Sequence, residues 1–159
     1  MKTKFLVLGL LVMPLFAAAQ TNEEFSAMND NIEMVRSMAA LERKAVITKG
    51  LNLSGEESTK FWPIYDEYTA EKKRINDRMV KLITDYAANY EDLSDELATS
   101  LIDDSMKVQS DLLKNRKKYL KRFKRVLEPK TLARFYQIEN KLDAIANLTM
   151  ARGIPLIVN

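Results

Sequence analysis

The chain has 159 residues, with 25 basic and 22 acidic side chains, no histidine and no cysteine, and 47% of its residues are apolar. That length fits one domain with a real core. Four glycines and four prolines in a chain rich in Leu, Ala, Lys and Glu favour helices. Without histidine or cysteine, the commonest general base, the thiol nucleophile and the usual zinc and copper ligands are missing, and no disulfide can form.

Residues 1–19 read as a secretory signal peptide. Lys2 and Lys4 precede an apolar run from Phe5 to Phe16 that is too short to span a bilayer. Ala17, Ala18 and Ala19 then offer a small-residue cleavage site before Gln20. A membrane anchor is the alternative. Losing Lys2 and Lys4 lowers the net charge from +3 to about +1, but the charge stays polarised. Glu91 to Asp111 is mainly acidic, and Lys114 to Arg134 is basic apart from Glu128.

Residues 20–29 are polar and read as a flexible N-terminus, with one helical domain over 30–159. Asp30 and Glu33 fit a capping box for a first helix that runs to about Lys49. Its expected apolar face is Ile32, Val35, Ala39 and Val46, with Met34, Met38, Leu41 and Ala45 beside it. Gly50 is expected to close the helix in a left-handed conformation. Ser54 and Glu57 form a second capping box and open the longest helix. In it Phe61, Tyr65, Tyr68, Lys72, Ile75, Met79, Leu82 and Tyr86 follow alternating steps of four and three, the heptad of long packed antiparallel helices. Pro63 lies inside this helix and is expected to bend it.

Ser94 caps a third helix, with Asp95 and Glu96 at its positive end. The predicted buried stripe is Ile102, Met106, Leu113, Leu120, Phe123 and Leu127, interrupted by Gln109 and Arg116. Glu128-Pro129 ends this helix and opens a fourth, which carries Leu132, Phe135, Leu142 and Ile145 to about Met150. Gly153 stops it, and the apolar tail Ile154 to Val158 is expected to dock on the bundle. The fold expected is all-α: an elongated, curved antiparallel bundle or hairpin of four helices, two of them long.

No catalytic constellation appears, and no cofactor or metal motif. Asp103-Asp104 and Glu56-Glu57 are adjacent on helices and point to different sides. Met28, Met34 and Met38 read as core filler or as a soft-metal set. The chain is therefore read as not an enzyme. The aromatic set Phe61, Trp62, Tyr65 and Tyr68 reads either as core or as a platform for partner segments. The basic run Lys114, Arg116, Lys117, Lys118, Lys121, Arg122, Lys124 and Arg125 reads either as a solvated face or as a surface for anionic partners. Glu139 is expected to face it across the hairpin and pair with Lys118 or Arg122. Residues singled out for partner binding are Phe61, Trp62, Tyr65, Lys114, Lys117, Lys118, Lys121, Arg122, Phe123, Arg125, Arg134 and Phe135.

The signal peptide, the four capped helices and the absence of cysteine together resemble the Spy/CpxP-like proteins of the bacterial periplasm, which carry Leu-Thr-x-x-Gln motifs at helix starts. Leu53-Ser54-Gly55-Glu56-Glu57 matches the first motif with conservative changes. Leu127-Glu128-Pro129-Lys130-Thr131 stands where the second would be and keeps only the leucine. The resemblance covers about Asp30 to Met150, and KFWPIYDEY and RFYQIENKL look closer to a branch outside the characterised chaperones. It implies a periplasmic stress-response protein, a curved cradle compatible with a homodimer, that holds non-native polypeptides without ATP. The alternative is an envelope-stress sensor or regulatory subunit with one specific partner. Nucleic acid is not an expected partner, and weak contact with anionic lipid head groups is a third use of the basic face.

Overall fold

A computed structural model describes residues 39–154 and Leu156. The expected signal peptide, flexible N-terminus and Asp30 capping box, and the three methionines, lie outside these residues. The chain divides into two compact units, Met1–Lys44 and Ala45–Asn159. Of the first, residues 39–44 are described, and they are helical with Leu41 exposed.

The described residues contain four helices and no strand. Helix α1 is described over 39–51, α2 is Gly55–Asn89, α3 is Asp95–Phe123 and α4 is Pro129–Gly153. The two long helices, α2 and α3, pack antiparallel. The 35 residues of α2 make it about 52 Å long.

Local chemistry sets the starts. Ser54 accepts from the Glu57 amide while the Glu57 carboxylate accepts from the Ser54 amide, so the capping box is complete. The Ser94 hydroxyl accepts from the Leu97 amide at the head of α3. Pro129 takes the first position of α4, where no N–H is required. Helix α2 continues through Pro63. Helix α3 ends at Phe123, earlier than the expected Leu127, because Lys124 to Leu127 turn back onto the Arg122 and Phe123 carbonyls.

Gly50 is not the left-handed cap. It lies inside α1 with negative φ, and Asn52 takes the left-handed conformation at φ 48°. Gly50 instead gives Ile138 of α4 close access to the α1 backbone, because a Cβ there would overlap Ile138 Cδ1.

The core is built on rings. Phe61, Phe123 and Phe135, one each from α2, α3 and α4, are fully buried. Their ring centroids lie 5.4, 5.3 and 4.8 Å apart, within the range favoured by aromatic pairs. Tyr65 and Tyr68 extend the cluster along α2, and Tyr119 meets Tyr68 at 5.6 Å. Ile47, Leu51, Leu127 and Leu132 close it. In α1 the buried pair is thus Ile47 and Leu51, one turn apart, while Val46 is exposed. The α2 heptad holds, since all eight of its positions are buried or half-buried.

The predicted α3 stripe holds at Phe123 and Leu127, with Leu120 half-buried, and is corrected at Ile102, Met106 and Leu113. The buried residues of α3 are Val108, Asn115, Tyr119 and Phe123. Ile102, Met106 and Leu113, expected inside, are 60%, 58% and 51% exposed. Each helix contributes the stripe that carries its rings, and Tyr119 with Phe123 outweighs the aliphatic stripe roughly a third of a turn away. Along α4, Leu132 and Phe135 are buried and Leu142 is half-buried, but Ile145 and Leu148 are exposed. In the tail, Ile154 is half-buried and Leu156 exposed, so the docking expected there is not seen at Leu156.

This assignment predicts a sharp contrast in urea unfolding. Phe123→Ala loses about 3–5 kcal/mol, the usual cost of emptying an aromatic core site. Ile102→Ser and Met106→Ser each stay within about 0.5 kcal/mol of the parent, as surface changes do.

Candidate functional site

Beside the ring cluster lies a polar layer at the junction of α2, α3 and α4. Glu139 is wholly buried, and the Tyr68 hydroxyl donates to it at 3.2 Å. Lys72 Nζ, 15% exposed, donates to Glu139 at 3.2 Å and to Asp143 at 2.7 Å. Arg116 reaches Asp143 at 3.5 Å, and its carbonyl accepts from Tyr136 at 3.4 Å. Asn115 Nδ2 donates to the Tyr68 carbonyl at 3.3 Å. Burial pushes the Tyr136 phenol up to about 12. It raises that of Tyr68 as well, helped by the neighbouring Glu139 charge. Both phenols therefore stay protonated and act as donors. Glu139 was expected to pair with Lys118 or Arg122, but its partners are Lys72 and Tyr68. The reason is helical phase: Glu139 stands one turn after Phe135 and follows it to the interior.

Lys118 and Arg122 face α2 instead. Lys118 meets Glu71 at 2.6 Å, and Arg122 forms a two-pronged contact with Glu67. Both cations also lie over the Tyr119 ring, at 5.0 and 5.2 Å. Farther along, Arg78 bonds Asp111 at 2.7 Å, and Lys114 bonds the same carboxylate at 2.9 Å.

The predicted partner-binding residues therefore separate into four groups. Phe61, Tyr65, Phe123 and Phe135 are core and offer no surface in this fold. Trp62 is half-buried, edge-on to Phe61 and Tyr65, with its N–H donating to Ser58 at 2.9 Å. Lys114, Lys118 and Arg122 are engaged in ion pairs. Lys117, Lys121, Arg125 and Arg134 are exposed and make no ion pair among the described residues. Lys124 shares that state.

The structure adds Ile102, Met106, Leu113 and Leu120, which periodicity places inside, and joins them to Lys117 and Lys124 of the basic run. Ile102, Met106, Leu113, Lys117, Leu120 and Lys124 succeed one another at steps of four, seven, four, three and four. They therefore follow one outward strip of α3, apolar first and cationic toward the C-terminal end. Leu120 is half-buried and the others are exposed. The heptad spacing was the available signal; the side of the helix it would face was not.

Among the described residues, no group of carboxylates is arranged to hold a metal, and no helix is long and apolar enough to cross a membrane. The chain matches no family model, no curated protein and no solved structure.

Two measurements check the electrostatics. Lys72→Met removes the ammonium paired with a buried carboxylate and destabilises by about 3–5 kcal/mol. The double change Lys72→Met with Glu139→Leu recovers part of that loss, because no charge is then left buried. The second is pH dependence. Hydrogen bonds from Arg122, Lys118 and Arg78 hold Glu67, Glu71 and Asp111 below the usual carboxylate range. Depressed carboxyls stabilise the fold above their unfolded values, and that contribution is lost as pH falls through the folded values. The urea midpoint is expected to hold from pH 7 to about 5 and to drop below about pH 4.5. A midpoint unchanged at pH 3 contradicts these pairings.

Proposed function

We propose that this protein is a non-enzymatic holder of non-native polypeptides in the bacterial periplasm, working without ATP. The observation that carries the reading is the outward strip of α3. Isolated exposed apolar residues are ordinary on a protein surface. Here Ile102, Met106 and Leu113 are aligned on one helix face, and Lys117 and Lys124, without an ion pair among the described residues, continue the line. An aligned apolar row with adjoining uncompensated charge is a contact surface rather than scatter.

The two halves divide the work. Lysines without local counter-ions attract acidic chain segments over roughly a Debye length and speed encounter. The shallow aliphatic row then covers exposed apolar side chains without a deep pocket, so binding is loose and release needs no energy source. The arrangement asks nothing of the buried rings beyond holding α3 in this orientation.

The purified protein is expected to suppress aggregation of an unfolded acidic client near equimolar ratio, and less well in high salt. Changing Lys117, Lys121 and Lys124 together to glutamate slows capture. Changing Ile102, Met106 and Leu113 together to serine removes suppression while leaving the helical content intact. Light scattering follows both. Absence of suppression at several-fold excess of the parent protein ends this reading.

A further inference from the structure

The strip ends in a groove. Where α3 gives way to the turn and α4 begins, Leu127 and Leu132 form a floor that is almost fully buried. Leu120 and Tyr136 form the walls, and Ala133 and Lys124 stand at the rim, around a space of about 460 Å³. Among the described residues, Lys124 is the only charged one lining it. We propose that this groove is the anchoring point for a client: it takes a short extended segment in which an apolar side chain is followed closely by a carboxylate.

Three observations converge on that occupant. The lining is aliphatic and aromatic, which fits one or two large apolar side chains. The Tyr136 hydroxyl donates to the Arg116 carbonyl, so that polar end is already engaged and the ring serves as an apolar wall. The charge is predominantly positive, with exposed Glu128 the one carboxylate between lining residues. The α3 cations that face α2 are matched by Glu67 and Glu71. Lys124 in the lining, and Lys117, Lys121 and Arg125 close to it in sequence, have no ion pair among the described residues. A carboxylate on the occupant would supply the counter-charge that the fold supplies elsewhere, while an occupant bearing lysines would meet repulsion. The groove shares Leu120 and Lys124 with the α3 strip, so a segment anchored here is aligned to continue along Lys117, Leu113 and Met106.

This inference rests on the holder reading, and the test separates the two. Fluorescein-labelled peptides acetyl-SELFELS-amide and acetyl-SKLFKLS-amide are titrated against the purified protein by anisotropy, in parallel with the aggregation assay. The acidic peptide is expected to bind and the basic one to bind at least tenfold more weakly. Lys124→Glu and Ala133→Trp change exposed positions, reversing the rim charge and filling the mouth. Each is expected to weaken the acidic peptide by about tenfold, the scale of one lost charge-assisted contact. Both should keep the parent's urea midpoint. Equal affinity for the two peptides, or affinity unchanged in both variants, overturns the groove. If suppression persists in that case, the holder reading stands without it. If the peptide binds as expected and the parent protein suppresses nothing, the groove stands and the holder reading falls.

Discussion

The meeting of Phe61, Phe123 and Phe135 is the contact on which this fold depends. Three helices each commit one ring to a single point, and the mutual spacing of about 5 Å leaves little freedom in how each helix is turned about its axis. Everything nearby follows from that. Tyr65 and Tyr68 are carried inward on α2, Tyr119 on α3 and Glu139 on α4. Glu139 reaches the interior by phase alone, and Lys72 and the Tyr68 hydroxyl then satisfy it. A buried carboxylate without such partners would be costly.

The same constraint governs the surface. With Tyr119 and Phe123 turned inward, the aliphatic stripe of α3 is left exposed at Ile102, Met106 and Leu113. The cations of α3 are divided as well. Those turned toward α2 meet carboxylates and stack on Tyr119, and these exposed pairs fix helix register more than they stabilise. Those turned outward make no ion pair among the described residues. One helix thus presents a matched face and an unmatched face, and the proposed binding role uses only the second. Near the turn, the early end of α3 and the proline start of α4 open the groove at which the unmatched face terminates.

Much of the architecture is local information. Ser54 with Glu57, Ser94, and Glu128-Pro129 mark helix starts because each supplies or removes a hydrogen bond within a few residues. The α2 heptad is legible because its ring-bearing stripe and its aliphatic stripe are the same one. In α3 they are different, and periodicity has no term for which of two stripes finds a partner. That one ambiguity put Ile102, Met106 and Leu113 in the same buried stripe as Phe123 and Leu127, and only the latter two are buried.

By itself, then, the sequence determined the helical class, the capped starts and the α2 face, because propensity and capping act over a turn or two. Tertiary structure alone decided the rotation of α3, the partners of Glu139 and Lys118, the negative φ of Gly50 and the groove beside Lys124. Each of these depends on what another helix brings to the same place, at sequence separations that reach 71 residues between Tyr68 and Glu139 and 88 between Gly50 and Ile138, which no local pattern records.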